Sequence, residues 1–170
     1  VYGTKILADV TASQLFDANG TLYVNGNAGG GLELFKSTMV TGGTSAVTDI
    51  AKPESLPLGF TEINGISYFS ADDGIHGREL WKTDGTSAGT VLVSDVTSGK
   101  SGSNPELITN VNGTAFFTAG SGSQVHSLWK SNGTAATTVK VKDFTKADIL
   151  KGLINVNGTL YFGVLNSSGL

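Results

Sequence analysis

Short stretches of alternating apolar and polar residues run along this chain, and most are bounded by glycine, asparagine or aspartate. Alternation at every second residue is typical of β-strands with one buried face. No window carries the 3.6-residue apolar spacing of an amphipathic helix. The pattern therefore predicts an all-β protein whose short strands are joined by tight turns.

The clearest example of this pattern lies between Pro105 and Phe144. It predicts four antiparallel strands in meander order, over residues 107–111, 114–118, 126–131 and 139–144. Asn112-Gly113 separates the first two, and this dipeptide readily adopts the positive φ angles of a type I′ hairpin turn. Asn132-Gly133-Thr134 predicts a second turn, which we expect the asparagine side chain to cap, as Asp84 would in Asp84-Gly85-Thr86.

Two short motifs recur along the chain in register with each other. Asn-Gly dipeptides begin at Asn19, Asn64, Asn112 and Asn157, which gives steps of 45, 48 and 45 residues. Tripeptides of leucine, an aromatic residue and lysine occupy residues 34–36, 80–82 and 128–130. The sequence thus predicts a single domain of tandem units with a period of about 46 residues.

Four-stranded antiparallel units of this length are typical of β-propeller blades. We expect about 3.7 repeats over the 170 residues. The approximate units are 1–10 (the end of a blade), 11–50, 59–96, 105–144 and 152–170 (the start of a blade). The chain is then either a small propeller, closed by pairing of residues 4–10 with residues 153–165, or a piece of a larger one, which we slightly favour.

Recurrent residues in these units have an architectural and a functional interpretation. The aromatic positions Phe35, Trp81 and Trp129 are expected to be wedges buried between blades, the alternative being an exposed platform for sugars. Aspartates end the fourth strands, at Asp9, Asp49, Asp95 and Asp143. We expect them to accept hydrogen bonds from backbone N–H groups of the following turn, the alternative being a metal or ligand in a central channel.

Three carboxylates, those of Asp72, Asp73 and Glu79, lie within eight residues of a glycine-containing loop. Together they could supply several of the oxygen ligands that Ca²⁺ requires. The corresponding stretches of the neighbouring units do not repeat the three acids, so a solvated loop is favoured over a calcium site. No other cofactor is expected.

Composition narrows the classes of function. The net charge is −3 and only 15% of residues are charged, which gives no basic surface for nucleic acid. No apolar run approaches the length of a membrane span, and there is no cysteine. His76 and His126 do not occupy equivalent positions, and neither lies near a nucleophile motif or at metal-ligand spacing.

One composite motif is specific enough to indicate a family. Glu79-Leu80-Trp81-Lys82-Thr83-Asp84-Gly85-Thr86 is followed by Gly89-Thr90 and Asp95-Val96, and Asn157 opens the run Asn-Gly-Thr-Leu-Tyr-Phe. These residues resemble the bacterial ELWxxDGT repeat family, over essentially the whole chain. Other copies depart from the motif, with Phe35 in place of tryptophan and Ser127 in place of glutamate. The resemblance implies propeller-like repeats of a large secreted or cell-surface protein without a well-established biochemical activity.

We therefore expect a non-enzymatic structural or adhesive module, secreted or at the cell surface. Its expected partners are other repeats, other protein chains or surface polysaccharide. A carbohydrate-binding propeller is the alternative. A propeller-type glycosidase or lyase is less favoured, because no paired carboxylates or activated nucleophile can be identified from the sequence.

Overall fold

The structure is a computed structural model that describes residues 11–18, 20–27, 31–37, 43–50, 55–120, 127–145 and 148–165. These residues form only β-strands and one short 3₁₀ turn, Ala135–Thr137. Several sequence predictions lie outside the described residues, namely Asp9, His126, Asn19, the strand at 4–10 and the end of the chain after 165. No helix in the described part of the chain is long and apolar enough to cross a membrane.

Three antiparallel four-stranded sheets and one two-stranded sheet follow one another along the chain, each in sequential strand order. The first blade contains β1 (Thr11–Ala18), β2 (Thr21–Asn27), β3 (Leu32–Ser37) and β4 (Thr44–Thr48). The second contains β5 (Leu58–Ile63), β6 (Ile66–Asp72), β7 (Arg78–Thr83) and β8 (Val91–Ser94). The third contains β9 (Glu106–Val111), β10 (Thr114–Ala119), β11 (Ser127–Ser131) and β12 (Val139–Asp143). The fourth unit contains β13 (Ile149–Val156) and β14 (Thr159–Leu165). The predicted all-β, propeller-like architecture of four-stranded blades is confirmed.

The Asn-Gly turns have the predicted backbone geometry. Asn64, Asn112 and Asn157 have φ angles of 53°, 51° and 51°, and the glycines after them have 81°, 82° and 81°. Positive φ at both central residues defines the type I′ turn, whose twist matches that of the flanking strands. Each turn is also capped, because the side chain three residues before the glycine accepts its N–H, from Glu62, Asn110 and Asn155.

The second predicted turn is closed differently in two blades. Asp84 Oδ1 accepts the backbone N–H and the hydroxyl of Thr86 at 2.9 and 2.7 Å, as predicted. In the third blade the hydroxyl oxygen of Thr137 instead accepts the N–H groups of Asn132 and Thr134, at 3.2 and 3.3 Å. A hydroxyl supplied by the 3₁₀ turn thus takes the place that the sequence suggests for the asparagine side chain.

The apolar core lies between the blades, in three successive layers. One layer joins the first and second blades around Phe69 and Trp81, with a stack of Phe16, Phe60 and Phe69. A second joins the second and third blades around Leu80 and Phe117. A third is smaller and joins the third blade to the fourth unit. Because a single sheet cannot cover both of its own faces, each blade is stabilised by its neighbours.

The three aromatic residues expected to be wedges differ in burial. Phe35 and Trp81 are 8% and 9% exposed, and Trp81 belongs to the layer between the first and second blades. Trp129 is only partly buried, and the Lys140 ammonium lies 5.5 Å from its ring centroid. The third wedge is therefore less covered than the other two.

Candidate functional site between the second and third blades

A buried glutamate joins the second blade to the third. Glu79, on β7, is fully buried and accepts backbone N–H groups of Val96, Thr97 and Ser103 at 3.2, 3.1 and 2.8 Å. The Ser103 hydroxyl donates to the same carboxylate. Burial raises the pKa of Glu79, and these four hydrogen bonds partly oppose that rise. The carboxylate therefore fixes the segment that leads from β8 into the next blade.

The same contact recurs one period earlier. Glu33, on β3, accepts the N–H of Ile50 at 3.3 Å and the hydroxyl of Ser55 at 2.7 Å. Burial again raises the pKa of this carboxyl group. In the third blade Ser127 takes the place of the glutamate, and its hydroxyl donates to Asp143 Oδ1 at 2.6 Å.

This arrangement corrects the role expected for two of the aspartates that end the fourth strands, Asp95 and Asp143. The N–H groups after β8 are bonded by Glu79, and no described residue forms a hydrogen bond with the Asp95 side chain. Asp143 binds the Ser127 hydroxyl and the Lys140 ammonium rather than a following turn. The longer glutamate side chain reaches the strand exit from the neighbouring strand, so the capping role belongs to it. Asp49 has interactions in the structure and lies at the same strand exit.

A second recurrent contact seats the turn of one blade on the preceding blade. Lys36 Nζ donates to the Gly85 carbonyl at 2.6 Å, and Lys82 Nζ donates to the Gly133 carbonyl at 2.8 Å. A Cβ atom added to Gly85 would lie 2.7 Å from the Tyr23 hydroxyl. The lysine of the Leu-aromatic-Lys motif therefore has a structural partner that the spacing alone does not reveal.

The three candidate calcium ligands do not converge. Asp72 Oδ1 accepts the N–H of Gly74 at 2.7 Å. Asp73 accepts the N–H groups of Ile75 and His76, and its Oδ2 lies 2.6 Å from His76 Nδ1. The carboxylate of Glu79 is engaged at the blade junction. No group of three or more potential metal ligands exists among the described residues, and calcium binding here stays a prediction without a shared centre.

The hydrogen bonds between Asp73 and His76 shift the pKa of both side chains. The bond to Asp73 raises the pKa of the His76 imidazole, while bonds from His76 and Ile75 lower the pKa of Asp73 against the opposing effect of burial. The histidine is half-buried, and its pair with Asp73 closes the loop between β6 and β7.

A non-recurrent cation lies beside the recurrent glutamate. Arg78 Nη1 donates to the Leu56 carbonyl at 2.8 Å, and to the carbonyl and hydroxyl of Ser70 at 3.1 and 3.2 Å. All three acceptors are neutral, and within the described residues no carboxylate forms an ion pair with this guanidinium. Desolvation lowers the pKa of Arg78, and nearby Asp72 partly offsets the effect. One period earlier the same position is Leu32.

Arg78 lines a cavity of about 500 Å³ between the second and third blades. The cavity is bounded at one side by the start of β5 and at the other by the segment leading into β9, with Leu58, Asn104, Pro105, Glu106 and Leu107 in its lining. Leu58 and Leu107 are 37% and 40% exposed. An unpaired cation, a carboxylate and solvent-exposed leucines therefore share one concave surface.

Leu107 has an unusual backbone conformation at this cavity. The first strands of the second, third and fourth units, β5, β9 and β13, each show a pairing irregularity. The residues with positive φ there are Gly59, Leu107 and Gly152, at 67°, 54° and 61°. Glycine adopts this region freely, whereas leucine incurs a penalty of about 1 to 2 kcal/mol. The third blade thus carries a strained apolar residue where its neighbours carry glycine, and such strain is often associated with function.

A second concave surface lies beside the partly buried Trp129. It encloses about 310 Å³ and includes Ser127, Lys140 and Asp143. An aromatic ring flanked by hydroxyl, ammonium and carboxylate groups is chemically compatible with a sugar.

Sequence reasoning missed the residues of the larger cavity and the role of the buried glutamates. Recurrence of Glu33 and Glu79 at one motif position was a usable signal for a structural role. Arg78 could have been singled out as the non-recurrent residue at the position of Leu32. Nothing in the sequence indicates the positive φ of Leu107.

Comparison with solved structures supports the fold. Puromycin hydrolase matches with a TM-score of 0.56 and 13% identity, over 90% of this chain and 25% of the hydrolase chain. A mutant of puromycin hydrolase complexed with PGG matches with a TM-score of 0.52 and 13% identity, over 91% and 25% of the two chains. The chain thus spans about a quarter of the length of these structures. At this identity the likeness concerns the fold alone. No family model matches the chain, and no curated protein matches it in sequence.

Proposed function

We propose that the chain is a non-enzymatic, propeller-like structural or adhesive module of a secreted or cell-surface protein. The observation that carries this proposal is the use of the recurrent polar side chains. Glu33, Glu79, Lys36 and Lys82 all bond the backbone or a hydroxyl of the following blade. A residue committed to such a contact is not free to bind or transform a substrate. The resemblance to the ELWxxDGT repeats agrees with this role and with a bacterial surface location.

The partner best supported for this module is another repeat unit. Tyr68 is 6% exposed between blades, whereas Tyr161 at the equivalent position of the fourth unit is 55% exposed. Leu165, on the same face of β14, is 57% exposed. The repeating interface between blades already shows what covers this surface in the rest of the molecule. We therefore propose that the β13–β14 sheet docks another repeat unit, which a second copy of this chain can supply.

Sedimentation velocity over a range of protein concentrations tests this docking. The chain is expected to self-associate, and Tyr161→Ser is expected to weaken association, because it removes apolar surface from the β13–β14 sheet. Ile75→Ser is the control, since Ile75 is also exposed but lies on a loop of the second blade. A chain that stays monomeric at high concentration, or an equal effect of both substitutions, would contradict the proposed partner.

Turnover assays test the non-enzymatic assignment separately. We expect no hydrolysis of puromycin, peptide amides or polysaccharides above the uncatalysed rate. Sustained turnover that copurifies with the folded chain would overturn the assignment, whatever the result on self-association.

Carbohydrate binding is the second candidate function, and the surface beside Trp129 favours it. Titration with a panel of neutral and acidic oligosaccharides, followed by tryptophan fluorescence, tests it. Trp129→Ala is expected to abolish binding, whereas Trp129→Phe retains an aromatic face, as Phe35 does in the first blade. Equal binding by wild type and Trp129→Ala would exclude this surface as the sugar site.

A further inference from the structure

The cavity between the second and third blades contains a cation with unused hydrogen-bond donors. Arg78 bonds its three neutral acceptors through Nη1 alone. Its Nε and Nη2 groups form no hydrogen bond with the described residues. A partly desolvated guanidinium is stabilised by an anion, and its planar donors match both oxygens of a carboxylate. The chemistry at this end of the cavity therefore favours a ligand carboxylate.

Glu106 gives the same cavity a negative charge. It is exposed, lines the cavity with Arg78 and forms no ion pair with it within the described part of the chain. Opposite charges that share a cavity without neutralising each other are complementary to a ligand that carries both signs. We therefore expect the ligand to carry, in addition to its carboxylate, a positively charged group that lies near Glu106.

The uncharged lining combines the aliphatic side chains of Leu58, Pro105 and Leu107 with the polar Ser70 and Asn104. It contains no aromatic ring on which a sugar could stack, which distinguishes this cavity from the surface beside Trp129. Partial exposure of both leucines leaves apolar area that a ligand side chain of similar size would cover.

The strained backbone of Leu107 supports the same interpretation. Gly59 and Gly152 occupy the equivalent positive-φ positions of neighbouring units. A leucine at this position has an unfavourable backbone conformation, and its side chain adds apolar surface to the cavity. Places where a local conformational rule is broken in an otherwise regular repeat are candidates for binding.

From this geometry we propose that the cavity binds a small zwitterion of the aliphatic α-amino acid class. Its carboxylate pairs with Arg78, its ammonium group lies toward Glu106, and its side chain packs on Leu58, Pro105 and Leu107. This site goes beyond the structural role proposed above and does not depend on self-association.

Ligand titrations monitored by NMR on the full chain test each part of the proposal. L-leucine is expected to cause saturable shifts at residues lining the cavity. Leucinamide lacks the carboxylate and N-acetyl-leucine lacks the ammonium group. Each is therefore expected to bind more weakly than leucine by a factor of about ten or more. Absence of saturable leucine binding would overturn the proposal. So would binding of leucinamide, N-acetyl-leucine or the anionic sugar D-galacturonate as tightly as leucine.

Two substitutions locate the site. Arg78→Gln is expected to weaken leucine binding about tenfold or more, because it removes the charge that faces the ligand carboxylate. Arg78 also bonds Leu56 and Ser70, so Leu107→Gly provides a second variant that copies Gly59 and Gly152. It is expected to stay folded and to lose binding to a similar extent, whereas Ile75→Ala, on an exposed loop outside the cavity, is expected to bind like wild type. A folded Leu107→Gly or Arg78→Gln that binds leucine like wild type would overturn the proposal.

Discussion

Arg78 and Glu79 are consecutive residues of β7, and their side chains leave opposite faces of the second blade. Glu79 recurs as Glu33 and bonds the chain that enters the next blade. Arg78 occurs once, bonds neutral oxygens and lines a cavity. The difference separates what a repeat must keep, namely the contact between units, from what a single unit can change without disturbing the stack. The predictions below test this separation.

The largest effect is expected where a recurrent junction is removed. Glu79→Ala leaves the N–H groups of Val96 and Thr97 and the Ser103 hydroxyl without their carboxylate acceptor, so it should lower the free energy of unfolding by about 3 kcal/mol. Urea denaturation measures this loss. Glu106→Ala, which removes an exposed carboxylate, should change stability by less than about 0.5 kcal/mol. Equal losses in the two variants would remove the distinction between the junction and the cavity.

A smaller loss of stability is expected at the glycine turn of the third blade that packs against the second blade. Gly133 has a φ of 91°, and a Cβ there would clash with the Tyr68 hydroxyl, so Gly133→Ala should cost about 2 kcal/mol. Gly74 is the matched control, because its φ is 76° and open space surrounds it. Gly74→Ala should cost only about 1 kcal/mol. Tyr68→Phe should recover part of the Gly133→Ala loss, and failure to do so would argue against the contact between blades.

Stability should also depend on pH through the buried glutamates. The pKa of Glu79 is raised by burial, so the folded protein holds this proton more tightly than the unfolded chain does. Its stabilising contribution is complete below the unfolded pKa and is lost as pH rises through the folded pKa. As pH rises from the unfolded to the folded pKa of Glu79, the unfolding free energy of wild type should therefore fall relative to that of Glu79→Gln. A difference that is constant with pH, or that shifts the other way, would contradict the assigned environment.

The smallest effect is expected at the cavity. Leu107→Gly relieves a positive φ in a leucine and should raise the free energy of unfolding by about 1 kcal/mol. Leu15→Gly on β1 replaces an exposed strand leucine that does not share this conformation, and it should lower stability by about 0.5 to 1 kcal/mol. Thermal and urea unfolding of both variants would show whether the two substitutions differ in sign. A loss of stability in Leu107→Gly as large as in Leu15→Gly would remove the argument from strain.

The sequence predicted the local backbone geometry of the turns well, but it predicted the hydrogen-bond partners of the side chains poorly. The turns at Asn64 and Asn112 follow from the intrinsic preference of the Asn-Gly dipeptide, so their φ angles could be anticipated. Glu79 was placed with a loop of acids because its neighbours in sequence are acids, whereas its hydrogen-bond partners lie 17 to 24 residues away. Distant contacts of this kind depend on how the blades stack.

Equivalent residues also differ in ways that the repeat pattern does not encode. Trp81 and Trp129 occupy the same motif position, yet only Trp81 is buried. Burial at this position depends on the neighbouring blade rather than on the tryptophan itself. Leu107 appeared as an ordinary strand residue, since a positive φ leaves no mark on the apolar pattern. The cavity was therefore found only from the structure.

A double-mutant cycle between Glu79 and Ser103 tests most directly whether recurrent side chains hold adjacent blades together. Urea unfolding of wild type, Glu79→Ala, Ser103→Ala and the double variant gives the coupling energy of the pair. We predict a favourable coupling of about 1 to 3 kcal/mol, since the Ser103 hydroxyl donates to the buried carboxylate across the blade junction. A coupling energy of zero within error would contradict the account.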